Sequence, residues 1–333
     1  MLKFKFGSFA ISFIFCLVPL SIHKAAQSQS ATDTPAYPSR PIKIIVGFPP
    51  GASTDAITRY AADILSKNLN TPVVVENRPG AGGNLASAVT RNSPADGYTL
   101  LLAITSHVTS RGLYKSLSYD PVKDFTAISL VARIPFILVA NPSFPGKTVA
   151  DVIAIAKAKP GTVDYATAGI GTSQHLSGEY FARLTGAPWT HIPYKGGAPA
   201  LIAVAANEVP LGLLTTTLVM PLLKNGAIKP IAIASTKRSP LLPNVPTFAE
   251  SGFANFTADT WYGLLAPAGT PSAIVNRLYA ELSKGLNSRE IQDKFAAQDA
   301  LIINSSPAEF SKIMREDDAK WLEIVREANI RAE

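Results

Sequence analysis

Residues 42–55 read IKIIVGFPPGASTD. Ile42–Val46 is a short run rich in β-branched residues and predicts a buried strand. Gly47 to Ser53 are small residues and prolines, the chemistry of a loop. From Thr54 onward Ile57, Tyr60, Ala61, Ile64, Leu65 and Leu69 recur with a helical period, with Ser53 or Thr54 as the cap. Strand, tight loop and helix start together aim backbone N–H groups and the positive end of a helix dipole at one point. An anion binds such a point without any cationic side chain. An ordinary βα turn gives the same pattern, so this stretch speaks to architecture before function.

The same alternation runs outward from it. Strands are expected over 72–76, 98–103, 125–131 and 136–140, with a loop over 77–83 and a small-residue helix from Asn84. Ile104 to His107 reads as a polar loop at the carboxyl end of a strand, where open α/β sheets hold ligands. Near 141–146 the chain changes domain and the series repeats. A helix over 148–159 opens with the capping box Thr148/Asp151. A strand over 163–167 then meets the loop Ala168-Gly169-Ile170-Gly171-Thr172-Ser173 and a further helix. A strand over 189–193 and the loop Tyr194-Lys195-Gly196-Gly197 precede a helix over 198–206, then strands over 209–214 and 228–234. Thr247/Glu250 is a second capping box. A strand over 257–266 leads back, a helix starts at Thr270-Pro271, and the last helix opens with the box Ser306/Glu309 and Pro307 in its first turn. This is the pattern of parallel α/β architecture in two similar halves facing a cleft.

Composition narrows the class. With 333 residues, 47% apolar and 17% charged, the chain is long enough for two domains and is not of disordered type. Residues 1–30 read as a signal peptide: Lys3 and Lys5, an apolar run from Phe9 to Leu20, then small residues. The run is too short to span a membrane well. Without Lys3, Lys5 and Lys24 the formal charge falls from +7 to +4, a mild bias towards anions spread along the chain rather than a nucleic-acid footprint. The sole cysteine, Cys16, lies inside the leader, so the mature chain is expected to carry no disulfide, thiolate chemistry or cysteine metal site.

Enzyme constellations are missing. The pattern G-x-S-x-G does not occur, and Gly171-Thr172-Ser173-Gln174-His175 lacks its second glycine. His107, His175 and His191 have no metal-ligand spacing. The P-loop pattern is absent, and Gly169-Ile170-Gly171 lacks the third glycine of a dinucleotide fingerprint. No cofactor or catalytic residue is expected, and an α/β hydrolase is the weaker alternative. What remains is loops rich in backbone donors and hydroxyls, suited to holding a polar or anionic small molecule. Each residue also has a plainer role: Asp55 complements a helix dipole, His175 packs, Lys195 is solvated and Trp261 is core.

The stretches YPSRPIKIIVGFPPGASTDAITR, VVVENRPGAGGN, SPADGYTLLL, TAGIGTSQHLSGEYF, HIPYKGGAPAL, KRSPLLPNVPTFAESG and WYGLLAPAGTP span most of the mature chain in order. Together they resemble the Bug-type (TctC-like) periplasmic receptors of tripartite tricarboxylate transporters. The resemblance implies a two-lobed type II periplasmic-binding-protein fold with its ligand cleft between the lobes. It implies limits of 38–142 and 257–333 for the first lobe and 143–256 for the second. It implies a small carboxylate held by amides, hydroxyls, helix starts and bridging waters. Carried onto this chain, the ligand residues are Phe48, Gly51, Ala52, Ser53, Thr54, Asp55, Ser106 and His107, with Gly171, Thr172, Ser173, His175, Gly196, Gly197 and Thr215 opposite, and Trp261 beside the pocket. It implies membrane permease subunits or a sensor kinase as partner, and a monomer. Two departures stand out: Ala52 where many relatives carry glycine, and Leu214 where many carry an acid. The second points to a ligand without an amine.

Overall fold

In a computed structural model of the chain, the opening stretch becomes strand β1 (Ile42–Val46) and helix α1 (Ser53–Leu69). Ile42 and Ile44 of β1 pack in one core with Ile57, Ala61 and Leu65 of α1. Burial of each such Ile or Leu side chain contributes about 1.5–3 kcal/mol, and strands and helices later in the chain complete the same core. The structure describes residues 1–5, 7, 37–51 and 53–331. Most of the expected signal peptide, Cys16 included, and Ala52 lie outside the described residues. Tyr37–Glu333 is one unit, described from here on; in the other, Met1–Ala36, the described residues carry no regular structure.

After α1 come β2 (Val73–Asn77), a 3₁₀ turn (Ala81–Gly83), α2 (Asn84–Arg91), β3 (Thr99–Ile104), α3 (Ser106–Leu113) and the 16-residue β4 (Phe125–Ala140). Then follow α4 (Val149–Ala158), β5 (Asp164–Thr167), α5 (Ser173–Thr185), β6 (Thr190–Pro193), α6 (Gly197–Ala205), β7 (Leu211–Thr215), α7 (Thr216–Lys224) and β8 (Lys229–Ile233). The chain closes with β9 (Asp259–Pro267), α8 (Ser272–Leu286), α9 (Arg289–Ala296), β10 (Leu301–Ile302) and α10 (Pro307–Glu327).

Strands β1, β2 and β3 run parallel, as do β5, β6 and β7. The architecture is not wholly parallel, however. β4 and β9 pair antiparallel with each other and with their flanking strands, so the sheet is mixed. β4 joins the halves: Phe125–Pro135 pairs with β9, and Phe136–Ala140 with β7. The sequence divides β4 in two because Arg133 and Pro135 interrupt its apolar run. In the fold the strand continues, since Arg133 forms two hydrogen bonds to Asp259 at 2.8 and 2.9 Å across the crossing.

Other differences have local causes. The loop expected at 104–107 turns into α3 at Ser106, whose first turn is closed by the Ser110 hydroxyl donating to the Ser106 carbonyl at 2.7 Å. Ser53 opens α1, so Ser53 and Thr54 are first-turn residues and not caps. Pro271 precedes α8 as its cap residue, while the Thr270 hydroxyl turns back to the Pro267 carbonyl at 2.8 Å. The boxes at Thr148/Asp151 and Ser306/Glu309 form as expected. Thr247 and Glu250 make the same reciprocal bonds, but around a turn and without a helix behind it.

Candidate functional site

The carboxyl ends of β1 and β2 are tied together by side chains. Asn77, at the end of β2, donates its amide to the Phe48 carbonyl and to Asp55 Oδ1, both at 3.0 Å. Asp55 Oδ2 accepts the Gly51 N–H at 3.1 Å, and Arg59 closes on the same carboxylate at 2.9 and 3.0 Å. Burial alone would raise the Asp55 carboxyl, but the bonds from Arg59, Asn77 and Gly51 outweigh it and hold the group below its ordinary value. Asp55 therefore folds the loop, with its charge already matched. Thr54 and Ser53 both bond to the hydroxyl of buried Tyr262 on β9.

The β3–α3 corner follows the same logic. Ser106 donates its hydroxyl to the Gly82 carbonyl at 2.8 Å, and Phe48 packs against Gly83, which leaves a small recess beside Gly47, Ser87 and His107. His107 is only 3% exposed. Its Nε2 meets the Pro121 carbonyl at 2.9 Å and must donate, so Nδ1 accepts from the Ser87 hydroxyl at 2.9 Å. Burial pushes this imidazole down to about 4, against the opposing pull of the Pro121 carbonyl and Asp120. His107 is neutral at pH 7, with both nitrogens engaged inside the protein.

Opposite stand the loops after β5, β6 and β7. Thr172 caps α5, accepting the His175 N–H at 3.3 Å and donating to the Gly169 carbonyl at 2.8 Å. Gly171 gives its N–H to His175 Nδ1 at 3.0 Å, and its carbonyl accepts the Thr109 hydroxyl at 3.4 Å. Gly196 caps α6 and gives its N–H to the Ala168 carbonyl at 3.0 Å. Gly197 opens α6, and Thr215 precedes α7 without a side-chain cap bond. Leu214 is fully buried.

The two sets of loops meet. The Thr109–Gly171 contact joins α3 to the loop before α5, and the Ser173 hydroxyl lies 3.1 Å from that of Thr260 on β9. The next residue on β9, Trp261, donates its backbone N–H to Thr105 Oγ1 at 3.0 Å. Thr260 and Trp261 thus reach both loop sets from one crossing strand. Trp261 itself is fully buried, with its indole N–H on Asp317 at 2.8 Å and its ring edge-on to Phe310.

Gly51, Gly171 and Gly196 have their amides paired within the protein, and His107 and Trp261 are core residues. First-turn N–H groups of α1, α3, α5, α6 and α7, together with hydroxyls, are what these corners offer an anion. Thr105 belongs to a loop the sequence marked, whereas Asn77, Ser87, Thr109, Thr260 and His191 shape the site without having been marked by the sequence. Asn77 alone had a signal, a polar residue closing a strand just before a Pro-Gly turn.

Residues 57–330 match the family described as the tripartite tricarboxylate transporter family receptor. Bordetella pertussis protein BugT is 38% identical over 293 residues, covering 87% of this chain and 90% of BugT. The solved periplasmic binding protein BugD superposes with a TM-score of 0.76 at 32% identity, over 89% of this chain and 100% of that one. An R. palustris protein solved with adipate gives 0.79 at 34%, over 88% and 99%. These are two-lobed solute-binding proteins, and the mixed sheet with its shared strands is that fold.

Proposed function

Because the chain belongs to the tripartite tricarboxylate transporter receptor family, we propose that it captures a small carboxylate between its lobes and presents it to a membrane permease. The observation that carries this reading is the meeting of Gly171 and Ser173 with Thr109 and Thr260, which brings uncharged donors from both halves to one place. Closure around a carboxylate buries a charge, and several neutral donors offset that cost. The protein works outside the cytoplasm, delivered there by the leader over 1–30. Its lobes are 38–142 with 257–333, and 143–256, so that both shared strands, β4 and β9, fall in the first.

Ser53, Thr54, Ser106, Thr172, Ser173, Gly197 and Thr215 meet the acid directly or through water. Phe48 lines its entry. Gly51, Asp55, His107, Gly171, His175, Gly196 and Trp261 hold those residues in position. Leu214 packs in the core with Ile137 and Val139 and carries no charge for a ligand amine, which supports an amine-free acid. Adipate, bound by the R. palustris relative, is such an acid.

A thermal-shift screen with calorimetric follow-up tests the reading. Adipate and other amine-free mono-, di- and tricarboxylates, aromatic acids, and aspartate or glutamate form the panel. A ligand of the folded state raises the midpoint by mass action. A rise with amine-free acids is expected. A response confined to neutral compounds would overturn the carboxylate reading, and one confined to amino acids would overturn the amine-free preference.

A further inference from the structure

His175, on α5, and His191, on β6, stack with ring centroids 3.7 Å apart and planes 14° off parallel. Each ring grips one end of the same tripeptide. His175 Nδ1 accepts the Gly171 N–H at 3.0 Å. His191 Nε2 lies 2.6 Å from Thr167 Oγ1, which accepts the Gly169 N–H at 3.2 Å. The Thr167 hydroxyl has one proton and two acceptors in reach, the Gly169 carbonyl at 3.4 Å and His191 Nε2 at 2.6 Å, and the shorter contact takes the proton. Both imidazoles therefore offer an acceptor nitrogen towards the loop, and both must be neutral to do so. Between the two glycines Ile170 stands 52% exposed. Gly169 and Gly171 have φ of +140° and +73°, so outside restraint is what fixes their shape.

We infer that His175 and His191 act as one positioning unit, a stacked pair of neutral acceptors that holds the loop Gly169-Ile170-Gly171 in the shape that completes the proposed carboxylate site. The importance of that shape rests on the functional reading above, but the pairing does not. Neither ring touches the captured acid. The stack also explains why two histidines, distant in sequence and absent from any metal or nucleophile pattern, converge here.

The surroundings favour neutrality. Glu179 of α5 is the carboxylate nearest His175, 3.7 Å from Nε2, yet its Oε1 accepts the Tyr165 hydroxyl of β5 at 3.0 Å. Burial raises that carboxyl, against the opposing pull of the Tyr165 hydroxyl. Tyr165 also faces His191, ring centroids 5.2 Å apart, and α3 presents only Thr109 and Leu113 to Gly171. Burial lowers His175 to about 4, and burial with the adjacent His175 lowers His191 to about 3. Protonation would set a donor against the Gly171 N–H and put a cation into the stack, releasing the loop.

Nuclear magnetic resonance of the purified protein without added acid tests the pairing. Imidazole nitrogen shifts at pH 7 should show unprotonated His175 Nδ1 and His191 Nε2. His191→Phe keeps a stacked ring but loses the acceptor, and should speed amide exchange at both Gly169 and Gly171 about tenfold. His175→Asn, which retains an acceptor, should preserve more Gly171 protection than His175→Leu. In the unaltered protein both glycine amide resonances should move together as pH falls towards about 4. A proton on either loop-facing nitrogen at pH 7, or Gly171 exchange unchanged in His191→Phe, would overturn the proposal. The pH titration needs no variant and decides even if one fails to fold. Adipate calorimetry on the same samples keeps the two readings apart: a coupled loop in a protein that binds no acid refutes the receptor reading and upholds the pairing.

Discussion

The hydroxyls of Ser173 and Thr260 lie 3.1 Å apart, joining the first residue of α5 to the strand that crosses between the halves. Both residues are buried, so each would leave a polar atom without a partner if the other were lost. Thr260→Val keeps the shape and removes the bond, and about 1 kcal/mol should leave the contact between the halves. The expected outcome is a larger radius of gyration by small-angle scattering in the absence of added acid, with acid affinity lowered several-fold. Thr260→Ser should restore both. An unchanged radius alongside a lowered melting temperature would reduce Thr260 to a packing residue.

At Gly171 the halves meet without room for a side chain. A Cβ there would sit 2.5 Å from Leu113 Cδ1, and φ is already +73°. Gly171→Ala should hold the halves apart and weaken acid capture at least tenfold, since the left-handed backbone alone costs about 1–2 kcal/mol in a residue with a side chain. Adding Leu113→Ala should recover the part due to collision and leave the backbone part. Calorimetry on the single and double variants separates the two. Equal affinities in Gly171→Ala and the unaltered protein would mean the halves do not close on this contact.

Ile42–Val46 could be read end to end because a buried strand between turn residues is a local signal, and the boxes at Thr148 and Ser306 are local too. β4 could not, because its continuity depends on Asp259, 126 residues away from Arg133. α7 begins with Thr216-Thr217 and contains Pro221, poor helix formers that the packing of Leu218, Val219, Leu222 and Leu223 overrides. At the site the loops were legible as glycine-rich strand ends. Which groups are already spent on neighbours was not, since Gly171 accepts from Thr109 and Thr105 from Trp261 only once the chain has folded back. His191 carried no signal because its partner in the stack belongs to another element.

Asp55 is the centre of the first loop, and its loss should be felt as a loss of shape. Asp55→Ala leaves the Gly51 N–H and the Asn77 amide without their acceptor. Arg59 is half exposed, so its ion pair adds little. Destabilisation of about 1–3 kcal/mol is expected by urea titration, with acid affinity falling as the loop loosens. The carboxyl is held below its ordinary value in the folded state. Its contribution is therefore full above pH about 4 and is lost as pH falls further. Asp55→Asn should be insensitive to pH in that range at this site. A variant as stable as the parent protein at pH 7 would show the loop to be held by its backbone alone.

Three imidazoles, His107 and His175 buried and His191 half-buried, set a second, higher acid limit. Burial lowers His107 and His175 to about 4 and His191 to about 3. Each would titrate near 6.5 in the unfolded chain, so between pH about 6.5 and 4 the unfolded state binds protons that the folded state refuses. The stability this represents is complete above pH about 6.5 and drains away as pH falls, at up to about 1.4 kcal/mol per pH unit for each ring. The melting temperature should accordingly be flat from pH 7 to 8 and decline steadily from 6 to 4. His107 is separable from the stacked pair, lying in the core beside Tyr119 and Phe125. His107→Gln, with donor and acceptor on one amide, should lower stability at pH 7 yet flatten the acid decline by about a third. A decline equally steep in that variant would remove His107 from the groups that set the acid limit.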